Sequence, residues 1–170
     1  MQWDLITNII LITSILSIAT FGLVGLCQLI QRKSIKKVDP ELLWVPLPLL
    51  LMTIVYFFFD KVLILNTRPD GSGEPSFPST HVMVVTTVFL IIMLILPHYI
   101  KNKTLRIVLD IVMLTMIALV SAGRILANKH WPVDVVGGVT FAMIFTEIYY
   151  IVYKEQRKKN AKRIHKNHQG

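Results

Sequence analysis

The chain has 170 residues, 54% hydrophobic and 16% charged, with a formal net charge of +8. That is too apolar for an ordinary soluble domain, in which about a quarter of residues are charged, and the length suits a single domain. The positive charge falls in short blocks between apolar runs, which points to membrane topology and away from nucleic-acid binding.

Five apolar segments follow in chain order. The opening "MQWDLITNIILITSILS" has no Lys or Arg ahead of its apolar run and no small-residue cleavage site after it, so it is expected to be a retained span and not a signal peptide. This first segment runs from about Leu5 to Ile30, without charge, and contains the single cysteine, Cys27. A lone thiol makes no internal disulfide, and Cys27 is expected to be a small buried hydrophobe. The second segment covers roughly Leu42 to Phe59, with an extension to Leu65 left open. The third lies near Val82 to Pro97, the fourth near Ile107 to Ala122 and the fifth near Val135 to Tyr153. A membrane-crossing helix needs about 20 apolar residues, so the third and fourth must take in flanking polar residues. The runs are continuous, not alternating, which favours helices over a barrel. The fold class is therefore all-α: an integral membrane bundle of about five transmembrane helices.

Fourteen of the 18 Lys and Arg residues fall in three segments. They are Arg32, Lys33, Lys36 and Lys37; then Lys101, Lys103 and Arg106; then Lys154, Arg157, Lys158, Lys159, Lys162, Arg163 and Lys166. Five spans put all three on one side, which the positive-inside rule makes the cytoplasm, with the N-terminus outside. Residues 154–170 read as a basic cytoplasmic tail lying against anionic headgroups, and residues 1–153 as one membrane-embedded domain. The other four cations, Lys61, Arg68, Arg124 and Lys129, fall on the opposite face, where the same rule disfavours them. Anion binding is a reason to keep at least three of them there.

Two clusters on that outer face carry chemistry. In "DKVLILNTRPDGSGEPSFPSTHVM", Lys61 is followed seven residues later by Arg68-Pro69, and Pro78-Ser79-Thr80-His81 stands where the third span begins. In "GRILANKHWPVD", Arg124 is followed by His130 and then Asp134. Two guanidinium groups and an ammonium would bind a phosphoryl group, with Arg forks matching its oxygens. Ser79 and the amides that follow it, from Thr80 onward, stand at a helix start, where free N–H groups favour an anion. His130 and Asp134, four apart, share a face if the fifth helix has begun. The carboxylate would then fix the imidazole tautomer and leave the other nitrogen to attack phosphorus. His81 could protonate the departing oxygen and then activate water against a phosphohistidine.

The three patterns Lys-x6-Arg-Pro, Pro-Ser-x-His and Arg-x5-His-x3-Asp resemble the signature motifs of the type 2 phosphatidic acid phosphatase family, which includes membrane lipid phosphatases and shares its site with vanadium haloperoxidases. They span Lys61 to Asp134, close to half the chain. The resemblance implies that His130 is the nucleophile, Asp134 its partner and His81 the residue acting on the leaving group. It implies that Lys61, Arg68, Ser79 and Arg124 are phosphate ligands, and that neither metal nor cofactor is needed. Two departures stand out. Gly123 precedes Arg124 where the motif usually has serine, and Thr80 replaces a frequent glycine.

The expected activity is hydrolysis of a terminal phosphate from a lipid phosphate or diphosphate at the outer leaflet. Undecaprenyl diphosphate ranks first, with phosphatidylglycerol phosphate and phosphatidic acid as alternatives. A non-catalytic lipid-phosphate binder or transporter would share the cationic pocket but have no use for His130 and Asp134, and a phosphatase of soluble substrates is a third possibility. The expected partners are a lipid phosphate and the membrane, not nucleic acid. Plainer roles are expected elsewhere: Lys129 as a headgroup contact, Trp131 in the interfacial aromatic belt, Asp110 paired with Arg106, and Glu147 as a snorkelling or interhelical carboxylate. The Gly/Pro-rich stretch 70–77 is a loop, either lid or spacer.

Overall fold

A computed structural model describes the backbone of residues 2–167 and the side chains of residues 2–162. Arg163 and Lys166, counted in the basic tail, lie outside the described side chains, and residues 168–170 outside the described backbone. Six α-helices follow one another: α1 (Gln2–Arg32), α2 (Pro40–Leu43), α3 (Pro46–Phe57), α4 (Thr80–Tyr99), α5 (Lys103–Leu126) and α6 (Pro132–Asn167). Among the described residues there is no strand, and five segments are long and apolar enough to cross a membrane: Gln2–Arg32, Pro40–Val62, Thr80–Tyr99, Lys103–Leu126 and Pro132–Lys162. The fold is all-helical, as expected, and its spans suit a multi-pass membrane protein. Each is longer than its apolar run because flanking polar residues complete the end turns, most visibly from Lys103 to Arg124 in α5.

The second span is the irregular one. Pro40 and Pro46 sit at first-turn positions, where a missing N–H is tolerated, so the chain restarts its helix twice. It ends in a wide turn over Phe58–Val62, closed by Leu63 N–H donating to the Phe58 carbonyl at 2.9 Å. The fifth span does not stop at residue 153, since α6 continues through the described part of the basic tail.

α4 is the hub. It packs against α6, α5, α1 and α3, and 61% of its central stretch is buried, against 11% for α5. Val82, Val85, Ile91 and Ile95 of α4 are fully enclosed. In lipid the hydrophobic effect supplies little force between helices, so close packing and polar contacts must hold the bundle together. The outward face of α5, with Ile107, Val108, Ile111 and Leu114 exposed, matches acyl chains instead. Cys27 is also exposed, contrary to expectation, because α1 turns its Thr7–Ile10–Ser14–Ile18 stripe inward and Cys27 falls off that stripe.

The two ends of the bundle differ in chemistry. At one end Arg32 pairs with Asp39 at 2.8 Å, Tyr99 donates to Asp39 at 3.0 Å, and buried Glu41 holds His98 at 3.1 Å and Arg157 at 2.9 Å. That end gathers the three cationic segments. The other end gathers the start of α1, the turn after α3, the start of α4, the end of α5 and the start of α6.

Candidate active site

The long connection from α3 to α4 is pinned, not loose. Arg68 N–H donates to the Glu74 carbonyl at 3.0 Å and Ser76 N–H to the Asn66 carbonyl at 2.9 Å, making a small hairpin. Gly71 (φ 78°) and Gly73 (φ 74°) supply the left-handed residues its tip requires. The hairpin is tied to the α5–α6 loop. Lys129 pairs with Asp70 at 2.8 Å, Asn128 donates to the Pro69 carbonyl at 3.4 Å, and Trp131 Nε1 donates to the Thr67 carbonyl at 2.9 Å. Lys129, expected as a headgroup contact, and Trp131, expected in the interfacial belt and 47% exposed, thus also join two loops. The Lys129 ammonium, with help from Ser72, holds the Asp70 carboxyl below its usual range.

This clamp sets His130. The residue lies just before α6, not on it, and is 5% exposed. Its Nδ1 stands 2.8 Å from the Ser76 carbonyl and 3.7 Å from Asp134 Oδ2. The expected carboxylate–imidazole hydrogen bond is therefore replaced by a backbone one. Asp134 Oδ2 instead accepts from Trp131 N–H at 2.8 Å, and so caps the first turn of α6. With Nδ1–H donated to Ser76, Nε2 is the ring nitrogen left with a free lone pair. Burial, reinforced by the Arg124 guanidinium and to a lesser degree by Arg68, pushes the His130 ring down to about 4, outweighing the Ser76 carbonyl and Asp134. The imidazole is therefore neutral at pH 7.

Ser79 is the residue before α4. Its N–H donates to the Asp134 carbonyl at 3.0 Å, which locks α4 to α6, while its buried Oγ has no partner among the described residues. The first-turn amides of α4 are the ones a helix leaves unbonded. Arg124, 4% exposed, comes from the last turn of α5, and Arg68 from the hairpin, where it pairs with Glu74 at 2.6 Å. The Nε atoms of both arginines are buried without partners among the described residues. His81, in the first turn of α4, lies within electrostatic reach of Arg124, His130 and Arg68. A pocket of about 70 Å³ is lined by Asp60, Arg68, Ser76, Thr80 and His130, among others.

Lys61 stands apart. It lies in the wide turn after α3, its side chain is 71% exposed, and it pairs with Asp60 at 2.7 Å. Elsewhere Arg106 Nε and Asp110 Oδ1, expected to pair, have no partners among the described residues, and Glu147 is exposed on α6. Sequence reasoning missed Ser76, whose contribution is a carbonyl and has no side-chain signature. It also missed α1: Asp4 pairs with Arg124 at 3.3 Å and Asn8 Oδ1 meets His81 Nε2 at 2.8 Å. The signal was available, since Asp4 and Asn8 are polar residues one turn apart at the start of an apolar run.

Two arginines, a helix start and two imidazoles thus come together at one rim of the bundle, a set whose chemistry suits a phosphate ester, and of these Arg68, Thr80 and His130 line the pocket itself. The sequence comparison agrees. Residues 57–158 match the PAP2 superfamily, and the chain belongs to that family, which makes it a phosphoric ester hydrolase. No curated protein and no solved structure gives a significant match.

Proposed function

We propose that the chain is a metal-independent lipid phosphatase acting through a phosphohistidine. His130 Nε2 attacks the terminal phosphorus, the bond to the leaving oxygen breaks, and His81, entering this step as the imidazolium, gives that oxygen a proton. His81 then takes a proton from water as the water attacks phosphorus, releasing phosphate and freeing His130. Arg68, Arg124, Ser79 Oγ and the Thr80 amide neutralise the equatorial oxygens. Lys61 joins them by leaving Asp60.

The observation that supports a lipid substrate is that the pocket shares lining residues with a neighbouring apolar groove. Tyr56 and Thr80 line both the polar pocket and a cavity of about 260 Å³ between α3 and α4, walled by Leu49, Met52, Met83 and Val84. Leu49 in turn lines a groove of about 460 Å³ between α1 and α2–α3. An acyl or prenyl chain could follow this path while its headgroup stays at the rim. A long single chain fits the succession of grooves, so a polyprenyl diphosphate such as undecaprenyl diphosphate is preferred to phosphatidylglycerol phosphate or phosphatidic acid. The cation distribution supports a site on the extracytoplasmic side. Residues 1–153 form the phosphatase domain and residues 154–170 the cytoplasmic tail.

The test is phosphate release in detergent, with EDTA, from polyprenyl diphosphate, phosphatidylglycerol phosphate, phosphatidic acid and p-nitrophenyl phosphate. The expected order puts the polyprenyl diphosphate first, with His130→Ala inactive. Equally little release by wild type and His130→Ala, with phospholipid binding retained, would leave lipid-phosphate binding as the function. Preference for p-nitrophenyl phosphate over every lipid would remove the role of the grooves, and loss of activity in EDTA would remove metal independence.

A further inference from the structure

The family match begins at residue 57, so α1 lies wholly outside it. We infer that α1 is nevertheless part of the catalytic centre: Asn8 orients His81 and Asp4 holds Arg124. The inference rests on the phosphatase reading for its activity test, but its geometry stands independently of that reading.

Three observations converge. First, His81 Nε2 and Asn8 Oδ1 are 2.8 Å apart, across 73 residues of sequence. With the amide oxygen accepting, the ring proton sits on Nε2 and Nδ1 becomes the nitrogen that exchanges a proton with the leaving group and with water. Second, Arg124, almost fully buried, is paired with Asp4 at 3.3 Å, one turn from Asn8 on the same helix. A buried guanidinium needs a partner to stay in place, and α1 supplies it. Third, the seat of α1 explains the departure at Gly123. A Cβ there would lie 2.7 Å from Thr7 Cγ2 and 3.4 Å from Trp3 Cε3. Thr7 is fully buried, and its hydroxyl bonds back to the Asp4 carbonyl at 3.2 Å. The side-chain space beside position 123 is thus filled by α1, which brings Asp4 and Asn8 to the rim on either side of Thr7.

The groups facing His81 are Asp4 and Asn8 from α1, Arg68 from the hairpin, Arg124 from α5 and His130 from the α5–α6 loop. Asn8 is the member of this set that carries no titratable group and bonds the ring directly. That makes Asn8 a positioning residue, acting through His81 and not on the phosphoryl group.

Phosphate release by Asn8→Ala and Asn8→Asp tests this. Asn8→Ala is expected to lower kcat about 10- to 100-fold with KM within about twofold of wild type, the size of effect that follows loss of an orienting partner. Asn8→Asp keeps an acceptor oxygen and is expected to recover most of the loss. Equal losses in both variants, or none in either, would overturn the inference, because a packing defect does not distinguish them. Gly123→Ser is expected to lower kcat, and Thr7→Ala to restore it in the double variant; additive losses would count against the seat. A readout without turnover separates the two readings. Nitrogen-15 spectra of the histidine rings, with the His81 signal assigned by His81→Gln, should show protonation at Nε2 in wild type and loss of that preference in Asn8→Ala. An unchanged His81 signal overturns the α1 assignment whatever the activity. A changed signal in a protein that releases no phosphate upholds the contact and condemns the phosphatase reading.

Discussion

Gly138 offers the most direct test of how the site is assembled, because it lies where α6 crosses the first turn of α4. A Cβ at this position would stand 2.8 Å from the Ser79 carbonyl oxygen, 3.2 Å from Met83 N and 3.3 Å from Val82 Cβ. Ordinary contact begins at 3.4 Å, so the helices must part by some 0.6 Å. Two of the three obstacles are backbone atoms, which no rotamer change can move. The Ser79 N–H to Asp134 carbonyl bond, now 3.0 Å, would be stretched out of hydrogen-bonding range. Overpacking of this kind costs about 1–3 kcal/mol. Since a displacement of about 1 Å in a reacting group costs on the order of 100-fold, Gly138→Ala should lower kcat on the order of tenfold. The assay is initial-rate phosphate release in detergent beside a thermal unfolding curve. Gly22→Ala is the packing control, since nothing lies within 4 Å of its added methyl; Gly22 lines the groove of about 460 Å³, so the change should leave kcat and the unfolding midpoint unchanged, with any effect confined to KM. Wild-type kcat and unfolding midpoint in Gly138→Ala would refute the claim that α4–α6 contact sets the catalytic geometry.

Further outcomes follow from other parts of the molecule. His130 is held at about 4, below the 6.5 of a free histidine, so the unfolded chain binds the extra proton first as pH falls. Its contribution is complete above pH 6.5 and is lost as pH falls towards 4. That loss is on the order of 3 kcal/mol, and thermal unfolding of wild type between pH 7 and 4.5 should be steeper than that of His130→Gln. Arg68→Ala should reduce kcat/KM about 100-fold or more, the scale of losing one transition-state donor, while Lys61→Ala should cost less, since its ammonium begins exposed and paired with Asp60; the reverse order would move the phosphate towards the α3 turn. Tyr149→Phe, at the opposite end, removes a buried 2.6 Å bond to the Glu41 carbonyl. It should lower stability by about 1 kcal/mol with kcat unchanged, and a changed kcat would couple the two ends.

Some of this protein was determined by the linear chain. The apolar runs dictated helices because a backbone in lipid must satisfy its own hydrogen bonds. Arg68, Ser79, His81, Arg124 and His130 were legible as a group because their residue types stand at helix ends or in the connections between them, where a membrane protein can place charge. Tertiary structure decided how those groups are held. The Ser76 carbonyl takes the place expected for the Asp134 carboxylate, since every residue has a carbonyl and only folding aims one. Lys61 and Lys129 are equally cationic in sequence, yet neighbouring carboxylates draw each into an ion pair. The approach of α1 to Gly123 depends on shape alone: a missing Cβ leaves a gap, and nothing in the order of residues says which helix fills it.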